Sequence, residues 1–248
     1  MITTKRNLRA ELTAKKYSFV AGNEFVIAPE LQADFKSFQQ DWEDMPADKY
    51  LKDKAIYRSR RLHYFYFHPT KEEVLPLPLR PFFQPEEDNS YTGGIHRKYE
   101  PFLERTFQNR FLHELIKFGF WQCPAASDES LINQSWEADV HLIRIVSSAG
   151  QIGEPTPEGI HRDGGDCGFV FLMNRQNVTG AVSTVYDNDR KPLERHTLTN
   201  PMDAMLFWDP HVLHSVSSMH PKNTEEIAVR DVLLFGFFPK PDLKRPME

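Results

Sequence analysis

The chain has 248 residues, 40% of them hydrophobic and 26% charged, with a formal net charge of −5 and an isoelectric point near 6.1. A slight acidic excess excludes a general nucleic-acid or acidic-membrane binder, which carries a basic surplus. No apolar run reaches the length of a membrane span, and the opening stretch MITTKRNLRAELTAKK lacks the apolar segment of a signal peptide, so a soluble cytoplasmic globule is expected. The two cysteines, Cys123 and Cys167, are too few for a disulfide framework and too far apart in sequence for a metal knuckle, which suits a reducing compartment.

Residues 1–50 read as helical. Pro29 is placed like a first-turn proline, and Leu31, Phe35, Phe38 and Trp42 recur at i, i+4, i+7 and i+11 along one helix face. The aromatic, β-prone run Leu62 to Phe67 follows, closed by Pro69. Pro76, Pro78, Pro81 and Pro85 then prevent regular structure as far as Gly93-Gly94. A second helix is expected around 102–118, with Phe107, Phe111, Leu115 and Phe118 on one face and Gly119 as its left-handed C-terminal residue.

From Val140 onward the pattern is strand. Val140, Leu142, Arg144 and Val146 alternate with His141, Ile143 and Ile145, and further runs cover 168–173, 181–186, 196–199, 204–208, 212–216 and 229–238. Turn residues at Asp187-Asn188-Asp189, Asn200-Pro201 and Asp209-Pro210 separate several of them. Short strands with turns between them predict an antiparallel sandwich or barrel. The expected class is mainly β with flanking helices (α+β), as one domain over 1–248. A helical N-terminal layer would span 1–54, and the β core with its covering elements 55–248.

Among ten histidines, His161 stands out in Glu158-Gly159-Ile160-His161-Arg162-Asp163-Gly164-Gly165. In extended chain, residues i and i+2 point to the same side, so His161 and Asp163 can present an imidazole and a carboxylate to one point. One further histidine from a distant strand would complete a two-histidine, one-carboxylate face, suited to non-haem Fe(II) and oxygen chemistry. A buried His–Asp hydrogen bond is the bland alternative. Downstream, a histidine lies in Val212-Leu213-His214-Ser215-Val216, and an arginine enters the apolar strand Ala228-Val229-Arg230-Asp231-Val232-Leu233-Leu234. A buried arginine is costly unless it meets an anion, and its fork matches a carboxylate. Asp231 or Asp203 would be an internal partner.

The succession of these three blocks resembles the 2-oxoglutarate/Fe(II) dioxygenases, and among them the branch of bacterial isoleucine 4-hydroxylase and related biofilm and stress-response proteins. The likeness covers roughly 55–238 and is strongest from Val140 to Phe238. It implies a double-stranded β-helix, or jelly roll, holding iron at one mouth. By position, His161 and Asp163 would be the proximal ligands, and Arg230 would hold the distal carboxylate of 2-oxoglutarate. For the distal histidine, His211 follows Asp209-Pro210 and falls in a turn, whereas His214 lies within the strand and matches the family's V-x-H-x-V. His214 is therefore chosen.

The halogenating relatives carry a small residue where this chain has Asp163, so the resemblance implies hydroxylation, with release of succinate and carbon dioxide. Molecular oxygen and a small-molecule substrate, a free amino acid, would be the partners. Arg144 would face the cosubstrate or substrate, or else solvent. Arg58, Arg60 and Arg97 would bind a substrate carboxylate, or else be solvated or salt-bridged. Two other readings share the same ligand face. One is a cupin-like hydrolase or isomerase with another metal; the other is a ligand-sensing protein without activity.

Overall fold

The computed structural model describes residues 1–52 and 55–246. Its centre is a seven-stranded antiparallel sheet in the order β2-β11-β7-β14-β6-β4-β5. These strands are β2 (Tyr17–Val20), β4 (Arg58–His68), β5 (Glu73–Pro76), β6 (Trp136–Ser147), β7 (Cys167–Gln176), β11 (Ala204–Trp208) and β14 (Ala228–Pro239). The long strands β6 and β14 pair along their whole length, from Ala228↔Ser147 to Pro239↔Trp136. Apolar residues make up most of both strands, with Val, Ile, Phe and Trp among them, a composition that suits a pleated, covered surface.

Because side chains alternate along a strand, this sheet has two distinct faces. Ala138, Val140 and Leu142 on β6 share one face with Phe169 and Phe171 on β7 and Leu233, Phe235 and Phe237 on β14, all buried in the main core. Helices cover that face: α1 (Leu8–Lys15), α2 (Gln32–Gln39), α3 (Glu104–Phe107) and α4 (Arg110–Gln122), followed by α5 (Glu129–Ile132). Asn109 caps α4, its side chain accepting from the Leu112 amide, and α4 buries Phe111, Leu112, Leu115, Ile116 and Phe120. Each such side chain stabilises the fold by about 1.5–3 kcal/mol relative to exposure.

The opposite face carries Asp139, His141, Ile143 and Ile145 of β6 and Arg230, Val232 and Leu234 of β14, which line a cavity. A smaller sheet in the order β10-β9-β12 covers it, made of β9 (Ser183–Tyr186), β10 (Pro192–His196) and β12 (Leu213–Val216). The pair β8 (Val178–Gly180) and β13 (Met219–Pro221) extends this cover. The result is a jelly roll, mainly β with flanking helices.

Several expectations need correction. The N-terminal fifty residues are not helical throughout: β1 (Ile2–Thr4) pairs with β3 (Phe25–Ile27), and β2 forms an edge of the large sheet against β11. The expected boundary at 54/55 touches residues 53–54, which lie outside the described residues, as do 247–248. The expected strand at 196–199 is displaced, since β10 ends at His196. Gly119 does not end a helix, because α4 continues to Gln122. A Cβ there would stand 2.8 Å from the Phe235 ring, so glycine is required by packing and not by a left-handed turn.

Candidate metal centre and cosubstrate pocket

His161 and His214 face each other across an isolated antiparallel bridge. Each backbone amide donates to the other's carbonyl at 3.0 Å. Residues directly opposite in such a bridge project to the same side, which brings the two ring centroids to 4.2 Å. Asp163, two residues on, adds its carboxylate: Oδ1 lies 3.5 Å from His161 Nε2 and 3.7 Å from His214 Nε2. The donor atoms of His161, Asp163 and His214 all lie within 4.8 Å of one another, a group that can hold a metal ion.

The surroundings fix these groups. His161 Nδ1 lies 3.0 Å from the Gly159 carbonyl, the contact that assigns its proton to Nδ1 and leaves Nε2 for a metal. His214 Nε2 faces Asp163, the ring lies 4.4 Å from that of Phe207, and Nδ1 has no hydrogen-bond partner. Burial alone would lower the His161 imidazole, but the Glu158 and Asp163 carboxylates hold it up at about 9. Burial and the His161 charge push His214 down to about 3. Asp163, although half-buried, is held below the usual carboxylate range by both histidines. His211 lies in the 3-10 turn Asp209–His211, exposed and against Trp208, outside the cluster.

Arg230 is 2% exposed on the cavity face of β14, and its Nε and Nη2 have no hydrogen-bond partner. Those two atoms form one edge of the guanidinium fork, the edge that pairs with a carboxylate. Burial and the nearby Arg175 charge lower it to about 10, against a raising effect of Asp231. Neither suggested internal partner reaches it. Asp231 projects to the other face and binds Arg144, whereas Asp203 accepts from the backbone of Gly22, Thr199 and Asn200. The donor set thus fits Fe(II), and the orphaned fork in the same cavity fits a cosubstrate carboxylate.

Arg144 is not part of this site. As an even-numbered residue of β6 it projects away from the cavity, where its Nε and Nη2 donate to Asp231 at 2.7 and 2.8 Å. That doubly bonded pair replaces the expected cosubstrate contact. Arg58, Arg60 and Arg97, in contrast, are all buried on the cavity wall. Arg58 is bound to Asp48 at 2.8 Å. Arg97 donates to Thr92 Oγ1 and Gln84 Oε1 at 2.7 and 2.8 Å, and Arg60 donates to His141 Nδ1. Both guanidiniums pack over the Phe82 ring.

Sequence reasoning missed Asp139 and His141, an i, i+2 polar pair inside an apolar strand, which was the available signal. Burial, then the Arg60 charge, lowers His141, whose Nε2 is 3.3 Å from Asp139. Asp139 itself is raised to about 7 by burial and the Asp163 charge. Cys123 and Cys167 also come together, beside Asp166, and burial pushes both thiols up, leaving them neutral members of the core.

A jelly roll with two histidines and a carboxylate between its sheets is an arrangement suited to a metal-dependent oxygenase. The sequence model of the 2OG-Fe dioxygenase family matches residues 39–236, and the chain belongs to that family. Among curated proteins, it is 29% identical over 209 residues to the bifunctional enzyme flvA of Aspergillus flavus. That match covers 74% of this chain but spans only 25% of the relative's length. A bsmA homolog from Methylobium petroleophilum superposes with a TM-score of 0.79 at 26% identity, covering 94% of each chain. IDO from Bacillus thuringiensis gives 0.76 at 17% identity, over 94% of this chain and 97% of its own. The Fe(II)/α-ketoglutarate-dependent dioxygenase TqaL gives 0.67 at 20% identity, over 97% and 90%. The family uses Fe(II) and 2-oxoglutarate, so of the three readings left open by the sequence family membership favours the oxygenase.

Proposed function

We propose that the protein hydroxylates an aliphatic C–H of a small molecule, a free amino acid, with His161, Asp163 and His214 holding Fe(II) and Arg230 holding 2-oxoglutarate. The observation that carries this reading is the unpartnered fork of Arg230 in the same cavity as the cluster. When bound, Fe(II) and 2-oxoglutarate supply the oxygen-dependent oxidation, with succinate and carbon dioxide as coproducts. The chain's residues do the rest. His161, Asp163 and His214 would hold the metal at the cavity wall, with the cavity open to its other ligands. Arg230 would hold the far carboxylate of the cosubstrate, and Asp163 is a carboxylate where halogenating relatives carry a small residue.

Arg60 and Arg97 have no carboxylate within ion-pair distance among the described residues, and they suit a substrate carboxylate. Ile143, Val170, Met205 and Val232 line the same cavity and suit an aliphatic side chain. The likeness to the isoleucine 4-hydroxylase branch points the same way, and a reducing, cytoplasmic setting accords with the cysteine usage. The test is oxygen-free reconstitution with Fe(II) and 2-oxoglutarate, then admission of oxygen with a panel of free amino acids. A product heavier by one oxygen, formed in equal amount with succinate, is expected. Coupled turnover only with another class of metabolite would overturn the amino-acid assignment.

A further inference from the structure

Glu158 lines the cavity with its side chain 11% exposed, and its Oε1 lies 3.5 Å from His161 Nε2. The turn that precedes His161 places it there. The Gly159 amide donates to the Thr156 carbonyl at 2.9 Å, Gly159 adopts a φ of +78°, and Ser90 Oγ donates to the Glu158 carbonyl. No other hydrogen bond or ion pair reaches the carboxylate among the described residues. Arg58, on the same wall, is occupied by Asp48.

A metal held by His161 would take Nε2, the atom that Glu158 contacts, so in a loaded centre that nitrogen would offer Glu158 no hydrogen bond. The cavity would then hold a carboxylate without a donor near the metal ligands, and on its wall the guanidiniums of Arg60 and Arg97, which are hydrogen-bonded but have no carboxylate beside them. Buried charge without a partner is costly, and a ligand with both signs of charge would relieve both ends. We infer that Glu158 is a specificity-determining residue that takes the ammonium group of a zwitterionic substrate, whose carboxylate lies on Arg60 and Arg97. This rests on the amino-acid reading above and adds the residue that distinguishes an amine from its absence.

The experiment uses oxygen-free protein loaded with Fe(II) and 2-oxoglutarate. Binding of L-valine, L-leucine and L-isoleucine is compared by calorimetry with 3-methylbutanoate, 4-methylpentanoate and 3-methylpentanoate, the same skeletons without the amine. Wild-type protein should prefer an amino acid by about tenfold or more, the worth of a charge-assisted hydrogen bond. Glu158→Gln should lose that preference while binding the amine-free acid as before and retaining iron, and Glu158→Asp should restore part of it. A preference that survives in Glu158→Gln overturns the assignment and leaves the amino-acid reading standing. Loss of iron from Glu158→Gln also overturns it, by making Glu158 a metal ligand. If no amino acid binds the wild-type protein while another metabolite does, the substrate class falls and the ammonium subsite with it.

Discussion

The Asp209 carboxylate accepts hydrogen bonds from the Asp163 amide at 3.0 Å and from the two amides that follow, Gly164 at 2.6 Å and Gly165 at 3.1 Å. A residue from the turn after β11 thereby fixes the loop that aims Asp163 at its two histidines. Asparagine keeps one acceptor but turns an N–H₂ toward backbone donors. Asp209→Asn should therefore weaken binding of Co(II), as a stand-in for Fe(II), by about 10–100-fold, the usual cost of losing such support. Competition with a chromophoric chelator measures it, and unchanged affinity would reduce Asp209 to a turn residue.

Arg230 leads to a prediction with two opposite signs. Its Nε and Nη2 are buried without partners, so in the cofactor-free protein the guanidinium is a net cost. Arg230→Met should leave the thermal stability of that form equal or higher. The same substitution should weaken 2-oxoglutarate binding by about 2–5 kcal/mol, as when one side of a buried charge pair is truncated. Destabilisation together with normal cosubstrate affinity would assign the arginine to the fold.

β6 and β14 were legible as strands because each is a long, largely apolar run with one face in the main core and the other on the cavity wall. The choice of His214 over His211 rested on the Asp209-Pro210 turn, and the structure places His211 in that turn and His214 beside His161. What could not be read was cross-strand register. Nothing local to Arg144 reveals Asp231, its neighbour on the adjacent strand, and an arginine on an apolar strand looks the same facing either way. Gly119 misled for a related reason, since its constraint is the Phe235 ring, distant in sequence. The burial of Arg60 and Arg97 likewise depends on a proline-rich segment whose path carries no periodicity.

Arg144 supplies a control for Arg230. Removing it leaves the buried Asp231 carboxylate with only the Asn174 amide, at 3.1 Å, among its side-chain partners. Arg144→Ala should cost about 1–3 kcal/mol in denaturant unfolding, the penalty of an undersatisfied buried acceptor. Its effect on 2-oxoglutarate affinity should stay within about twofold, the size of a minor perturbation. A large loss of cosubstrate binding would return Arg144 to the site.

Metal ligation by the two histidines, as proposed, predicts a pH dependence of metal binding with a definite direction. In metal-free protein His161 keeps its proton up to about 9, and His214 is already neutral above about 3. A metal needs both imidazoles neutral, so each bound ion displaces one proton, from His161. Apparent Co(II) affinity should therefore climb by about tenfold per pH unit through the neutral range and level off above about 9. Stability follows the same group. The folded value of His161 lies above its ordinary 6.5, so its contribution is complete below 6.5 and is lost as pH rises through about 9. His214 acts oppositely, contributing above 6.5 and losing that contribution as pH falls toward 3, which leaves the window from 6.5 to 9 to His161. Denaturant unfolding in the presence of a chelator should show stability falling across that window, and calorimetry in buffers of different ionisation heat should count one proton released. Zero protons released at pH 7, with pH-independent affinity, would place the metal away from His161.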